Sequence, residues 1–267
     1  LDGKSQAFAG SACTLEIIDE HGALVKRLPQ FWGKVATMRI IPRPDGSLDL
    51  LAARVYNGTH QVGVINNRTL NPAVRRFNSV PAGHSFVGGW SSMNRYHLFF
   101  EDFDGDGQNE VMSEINGTWN RVTVWDLDGT AKYDVSFGPG ERIPAKNMRD
   151  LDIGDLDGDG LPEIVAATSS GLIVALDGTC EKVWARRLAS PPTVMSCIAP
   201  AADAAPWIVA ACEDGSVVVL DKDGSFIHSG EVGGAAACIL PLQDAAGAPL
   251  AAFGTQRGQV KVFRLAP

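Results

Sequence analysis

Self-similarity constrains this chain more than any other feature of its sequence. The stretch Asp155-Leu-Asp-Gly-Asp-Gly-Leu-Pro-Glu163 leads into Ile164-Val-Ala-Ala-Thr168, a Ser-Ser-Gly turn, Leu172-Ile-Val-Ala-Leu176, Asp177-Gly178 and Glu181-Lys-Val-Trp-Ala185. Asp102-Phe-Asp-Gly-Asp-Gly-Gln-Asn-Glu110 opens a second copy, which continues through Val111–Ile115, Asn116-Gly117, Arg121–Trp125 and Asp128-Gly129. Weaker copies keep the strand pattern and lose the acids. They run through Leu50–Ala53, Asn57-Gly58 and Val62–Ile65; through Trp207–Ala211, Asp214-Gly215 and Val217–Leu220; and through Leu250–Phe253, Gly258 and Val260–Phe263. The second strand of each copy begins near residues 48, 110, 163, 207 and 249. Spacings of this size, with about four short strands in each, are the signature of β-propeller blades.

The residue types agree with that reading. The runs are short, rich in Val, Ile, Ala and Trp, and closed by Asn-Gly, Asp-Gly or Ser-Gly turns. Near-continuous apolar runs suit strands covered on both faces. No stretch sustains a 3.6-residue apolar period, so very little helix is expected. The predicted fold is an all-β propeller of about six four-stranded blades, with seven in a parent protein as the alternative. Residues 1–267 are read as one propeller domain. A partial blade occupies 1–30, full blades occupy about 34–80, 95–139, 147–189 and 192–232, and a second partial blade occupies 234–267. The sequence begins at Leu1 without a visible signal peptide and starts and stops inside a blade, so a segment of a longer protein is expected.

Composition removes several function classes. Of 267 residues, 45% are hydrophobic and 20% charged, which excludes a disordered chain. Apolar runs last about five residues, far short of the roughly 20 that a membrane-spanning helix needs. The net charge of −8 comes with scattered Lys and Arg, so no nucleic-acid partner is expected. The five cysteines, Cys13, Cys180, Cys197, Cys212 and Cys238, form no CxxC pair. They suit neither a zinc site nor a disulfide framework, and Cys197, Cys212 and Cys238 fall in apolar runs as expected buried small hydrophobes.

The acidic loops carry the clearest chemistry. Asp-x-Asp-Gly-Asp-Gly-x-x-Glu brings alternate carboxylates onto a tight loop, with glycines permitting the turn and a later Glu closing the shell. All-oxygen ligation selects Ca²⁺ over Mg²⁺. Two Ca²⁺ sites are therefore expected. One comprises Asp102, Asp104, Asp106, Glu110 and the Gln108 carbonyl. The other comprises Asp155, Asp157, Asp159, Glu163 and the Leu161 carbonyl. An EF-hand requires its Glu at loop position 12 and helical flanks, and neither is present here. These loops resemble the FG-GAP (VCBS-like) calcium-loop repeats of integrin-α-type β-propellers. The blade from Glu163 to Leu188, with Trp184 after its Gly turn, also looks like blades of quinoprotein-like propellers. The resemblance implies ions that stabilise the fold instead of catalysing a reaction. It departs from the family at Pro42–Asp45 and Ala199–Pro206, where Asp45 and Asp203 stand alone and no metal is expected.

Strand alternation places the acidic loops at one end of the blades and the blade links at the other. The links and second turns carry Trp32, His60, Trp90, Arg95, His97 and Trp119. Aromatic rings with a few polar groups are what sugar stacking and hydrogen bonding require, so these six residues form a candidate ligand rim. Asn-Gly-Thr recurs at Asn57 and Asn116 and is first a turn motif; with Asn67-Arg-Thr69 it also matches glycosylation sequons. The resulting expectation is a monomeric extracellular, cell-surface or periplasmic module that binds a glycan or an extracellular protein. A polysaccharide lyase using Arg95, Tyr96 and His97 is the alternative. In a strand, however, only Arg95 and His97 of those three share a face, and no Gly-x-Ser-x-Gly or HExxH motif appears. A structural domain of a larger surface protein is the third reading.

Overall fold

A computed structural model describes residues 5–10, 14–29, 35–42, 45–46, 48–56, 59–66, 72–73, 81–82, 97–115, 120–138, 143–144, 147–201 and 204–265. All regular structure among these residues is β. The first sheet holds β1 (Gln6–Gly10), β2 (Thr14–Asp19) and β3 (Leu24–Pro29). The second holds β4 (Val35–Pro42), β5 (Leu48–Tyr56), β6 (Thr59–Asn66) and β7 (Pro72–Ala73). The third holds β8 (Leu98–Glu101), β9 (Glu110–Ile115), β10 (Asn120–Trp125) and β11 (Ala131–Phe137). The fourth holds β12 (Met148–Gly154), β13 (Glu163–Thr168), β14 (Leu172–Leu176) and β15 (Lys182–Arg187). The fifth holds β16 (Pro192–Ile198), β17 (Trp207–Cys212), β18 (Ser216–Leu220) and β19 (Phe226–Glu231). The sixth holds β20 (Ala236–Gln243), β21 (Pro249–Thr255) and β22 (Val260–Arg264).

Every sheet is an antiparallel meander in which chain neighbours are also spatial neighbours. β5, β9, β13, β17 and β21 begin at the residues where the repeat predicts second strands. A bulge recurs near the start of β4, β12, β16 and β20, at Val35/Thr37, Met148/Asp150, Pro192/Val194 and Ala236/Cys238. Such a repeated irregularity sharpens strand twist at one fixed point of each sheet.

The chain divides into two compact units, Leu1–Glu101 with Asn109–Asp134, and Asp102–Gln108 with Val135–Pro267. In the first, Ile41 and Leu51 pack with Leu98, Val111 and the fully buried Trp125. In the second, β13 and β17 are covered on both faces. Val165 and Ala167 join Ile208, Ala210 and Cys212 in one cluster, while Val209 and Ala211 face Val232, Ala251 and Phe253 in another. Successive strand residues point to opposite faces, so two-sided burial demands an unbroken apolar run with small residues where sheets approach closely. Each fully buried Ile or Val contributes about 1.5–3 kcal/mol.

Sheets of the second unit are also joined by polar contacts. The Trp184 indole N–H donates to the Lys222 carbonyl at 2.8 Å, and Arg186 Nε donates to the Gly224 carbonyl at 2.6 Å. Gly224 has φ +72°, and a Cβ there would meet the Trp184 ring at 2.8 Å, so conformation and space both require glycine. Cys180 takes the equivalent turn position with φ +64° and is buried. Cys212 is buried as expected and Cys197 half-buried. Cys238 corrects the expectation: it lies exposed on β20, where residues of both alternating sets after Ala236 are accessible, so an apolar run there is not a buried one. Cys13 falls outside the described residues.

Gly178 lies so close to the backbone of Phe103 that an added Cβ would stand 1.8 Å from the Phe103 carbonyl oxygen. Backbone cannot swing aside as a side chain can. Gly178→Ala should therefore destabilise by about 1–3 kcal/mol or more, seen as a lower urea midpoint at unchanged m value. An unchanged midpoint would show that the two segments do not meet this closely.

Candidate functional site

The two acidic loops connect β8 to β9 and β12 to β13, and they fold alike because their own carboxylates organise their backbones. In the second loop, Asp155 Oδ1 accepts the Gly158 N–H at 2.7 Å and Asp155 Oδ2 accepts the Gly160 N–H at 3.1 Å. Asp157 Oδ1 accepts the Asp159 N–H, and Asp159 Oδ1 accepts the Leu161 N–H. In the first loop, Asp102 Oδ1 and Oδ2 accept from Gly105 at 2.8 Å and Gly107 at 2.9 Å. Asp104 and Asp106 accept from the N–H groups of Asp106 and Gln108. The glycines at 105, 107, 158 and 160 all have positive φ, which lets successive N–H groups turn inward on one carboxylate.

This folding brings carboxylates together. Side-chain oxygens of Asp155, Asp157 and Glu163 lie within 4.8 Å of one another, and so do those of Asp102, Asp104 and Glu110. Asp106 and Asp159, also expected as ligands, stand outside these triads and hold the loop ends through their N–H bonds. The donors are all oxygen, which suits a hard cation. Glu163 accepts the Leu156 N–H at 2.6 Å, yet burial pushes its carboxyl up from the ordinary glutamate value, and the charges of Asp157 and Asp159 add to that push. A bound cation would relieve this accumulation of negative charge. Beside the second loop, Ile153, Gly154, Asp155, Gly158, Cys197 and Pro206 line an open cavity of about 520 Å³.

Of the expected ligand rim, only His97 has a described side chain. Trp32, Trp90, Arg95, Tyr96 and Trp119 lie outside the described residues, and His60 is described in its backbone on β6 alone. His97 precedes β8, at the end opposite the acidic loop. Its N–H donates to Glu114 Oε2 at 3.1 Å, its Nδ1 lies 3.2 Å from Glu114 Oε1, and its carbonyl accepts the Ser113 hydroxyl. The ring remains about one-quarter exposed while Glu114 is buried. Asp45 is described and exposed; Asp203 lies outside the described residues.

Sequence reasoning missed three features of these elements. Phe103 and Leu156, the variable residues of Asp-x-Asp, are 1% and 3% exposed and plug each loop into the core. Their apolar character inside an acidic string is the signal that could have revealed them. Asp150 and Asp152 on β12 reach across to β16: Asp150 Oδ2 accepts the Met195 N–H at 2.6 Å, and Asp152 Oδ2 accepts the Ser196 hydroxyl and the Cys197 N–H, both at 2.9 Å. Their i, i+2 spacing puts both carboxylates on one face of the strand. Burial pushes the Asp152 carboxyl up despite these bonds, and burial with the nearby carboxylates pushes the Cys197 thiol well up. Glu114 gave no sequence signal, because a buried Glu in a strand is recognised only through its partner.

Comparison with known proteins bears on both ends of this geometry. Residues 102–166, which span both acidic loops, match the FG-GAP-like repeat model. Residues 141–231 match the model of the lambda-carrageenase β-propeller domain. Among curated proteins none matches the chain significantly. Two crystal structures of BBS1N in complex with ARL6DN, soaked with mercury or with lead, contain a chain of similar fold. The TM-scores are 0.66 and 0.67 at 11% identity, over 98% of this chain and 74% or 75% of that one. The antiparallel meander sheets among the described residues, the structural likeness and the carrageenase-type match support an all-β propeller fold, and the two family matches, over residues 102–166 and 141–231, support FG-GAP-type repeats within it.

Proposed function

We propose that this chain is a calcium-stabilised β-propeller module that binds a glycan outside the cell. The observation that carries the glycan reading is the match of residues 141–231 to the lambda-carrageenase β-propeller domain, a region that includes the second acidic loop and the 520 Å³ cavity beside it. The calcium reading rests on the two carboxylate triads. Asp155, Asp157 and Glu163 would hold one ion, and Asp102, Asp104 and Glu110 the other. Asp106, Asp159 and the Gln108 and Leu161 carbonyls offer further oxygens on the same loops. The ion supplies positive charge to a turn that otherwise gathers several carboxylates. The loop residues orient their own backbone, and Phe103 and Leu156 anchor each loop to the core. No helix among the described residues is long and apolar enough to cross a membrane. The rim of Trp32, His60, Trp90, Arg95, His97 and Trp119, which strand alternation in the sequence sets apart from the acidic loops, is the proposed glycan surface.

Melting in EGTA and in millimolar Ca²⁺ tests the ions. Native-state binding stabilises by about 2.7 kcal/mol per site at a hundredfold excess over Kd, so the midpoint should rise with Ca²⁺. Asp104→Ala and Asp157→Ala should each lose one equivalent in calorimetry, while Asp45→Ala and Asp203→Ala keep both. Loss of an equivalent in the Asp45 variant would overturn the assignment.

Glu163 gives a pH signature whose sign follows from its raised carboxyl. A folded-state pKa above the unfolded value contributes stability at low pH that is lost as pH rises through the folded value. The calcium-free protein should therefore gain stability from this group between neutral pH and the ordinary glutamate range, and Glu163→Gln should flatten that gain. In saturating Ca²⁺ the sign reverses, because protons compete with the ion. Melts across pH, with and without EGTA, check both directions.

The glycan reading is tested by a glycan array that includes carrageenans, followed by product analysis. Trp90→Ala and Trp119→Ala should weaken capture by about 1–3 kcal/mol, by analogy with base stacking on aromatic rings, at nearly unchanged melting. A large drop in melting would assign both rings to packing, about 3–5 kcal/mol each. Shortened chains among the products would point to a polysaccharide-cleaving enzyme.

A further inference from the structure

The two triads are alike in sequence and in loop geometry but not in their surroundings. Lys132 on β11 places Nζ 3.2 Å from Glu110 Oε1 and 3.6 Å from Asp126 Oδ1. Its side chain is 17% exposed and that of Glu110 only 1%, so this ammonium lies where water screens it little. Glu163, the counterpart of Glu110, meets no Lys, Arg or His within ion-pair distance among the described residues; its partners are backbone N–H groups, and its charged neighbours are Asp157 and Asp159. The difference follows from one position. The turn before β11 closes with the Asp126 N–H on the Thr130 carbonyl, and the turn before β15 with the Asp177 N–H on the Glu181 carbonyl. Counting two residues onward gives Lys132 in the first case and Val183 in the second, and Val183 is 57% exposed.

We propose that Lys132 makes the two sites unequal, so that the Asp155 loop takes Ca²⁺ first and the Asp102 loop takes it only at higher concentration. The inference rests on the calcium reading above. Lys132 acts as a built-in competitor: it supplies part of the positive charge that the Glu110 carboxylate would otherwise draw from the ion. A cation entering the Asp102 loop must share Glu110 with this ammonium or displace it toward Asp126. No such contest exists at Glu163. Affinity in oxygen-ligated sites follows the charge count of the site, and one elementary charge removed at this range changes it by at least about tenfold.

Calcium titration of the full chain by calorimetry, with Ca²⁺ as the probe, decides the matter. The wild type should bind in two separated steps, and Asp157→Ala should abolish the tighter one. Lys132→Met keeps the aliphatic stem and should tighten the weaker step by at least about tenfold while leaving the tighter step in place. Lys132→Arg should preserve the separation. Val183→Lys, at an exposed position where folding is not at risk, should weaken the tighter step. Equal steps in the wild type, or a weak step unmoved in Lys132→Met together with a tight step unmoved in Val183→Lys, would overturn the proposal. A wild type that binds no Ca²⁺ at all would overturn the calcium reading itself, an outcome separate from the ranking of the two sites.

Discussion

Carboxylate oxygens accepting backbone N–H groups are the interaction on which the turns of this structure depend. The same bond recurs outside the acidic loops. Asp19 Oδ1 accepts from His21 and Ala23, Asp177 Oδ1 from Thr179 and Glu181, Asp221 Oδ1 from Asp223 and Ser225, and Asp244 Oδ1 from Ala246 and Ala248. A hairpin turn leaves N–H groups without a ladder partner, and an aspartate two or four residues back reaches them. An N–H that finds no such acceptor and is shielded from water costs about 1–3 kcal/mol, so these aspartates are as much a part of the sheets as the strands they join. The net charge of −8 is in part the consequence of building so many turns this way.

Between sheets of the second unit the same chemistry works across the chain. Asp150 and Asp152 hold β16 through Met195, Ser196 and Cys197, where no regular ladder joins β12 to β16. Trp184 and Arg186 add the reverse polarity, side-chain N–H groups donating to turn carbonyls of the next sheet. The apolar clusters supply the bulk of the driving force, and these polar clamps fix how one sheet is placed on its neighbour. Apolar contact between sheets is non-directional, whereas a clamp of two or three hydrogen bonds admits one register.

Much of the fold was legible in the sequence because its information is local. The turns are spelled by Asp-Gly, Asn-Gly and Ser-Gly pairs, and two-sided burial writes itself as unbroken runs such as Ile164–Thr168. The starts of β5, β9, β13, β17 and β21 follow from that punctuation. What escaped was non-local. Asp150 and Asp152 look like ordinary solvated acids until β16 is laid beside them, and their partners stand 44 and 45 residues away in the chain. Glu114 looks like an error in a strand until His97 is placed on it. Cys238 reads as core because its neighbours are apolar, and only the third dimension shows that β20 is left accessible along most of its length. Asp244-Ala-Ala-Gly247 sits where other repeats carry an acidic loop, and it reverts to the plain aspartate turn that joins third and fourth strands elsewhere.

The acidic loops show where a motif stops determining a site. Nine residues suffice to specify the path of the backbone, since matching hydrogen bonds form in Asp102–Glu110 and Asp155–Glu163. They do not specify the potential inside the loop. That is set by whatever the rest of the sheet brings to the closing glutamate, and for Glu110 the decisive group lies 22 residues downstream on another strand. Geometry in this fold is encoded within the repeat unit, while electrostatics is encoded between strands of the unit and is free to differ from one copy to the next. Two loops that any motif search scores alike can thus hold different amounts of uncompensated charge. Since a hard cation is attracted by charge and only accommodated by geometry, the ranking of such sites has to be read from the neighbours of the glutamate and not from the motif.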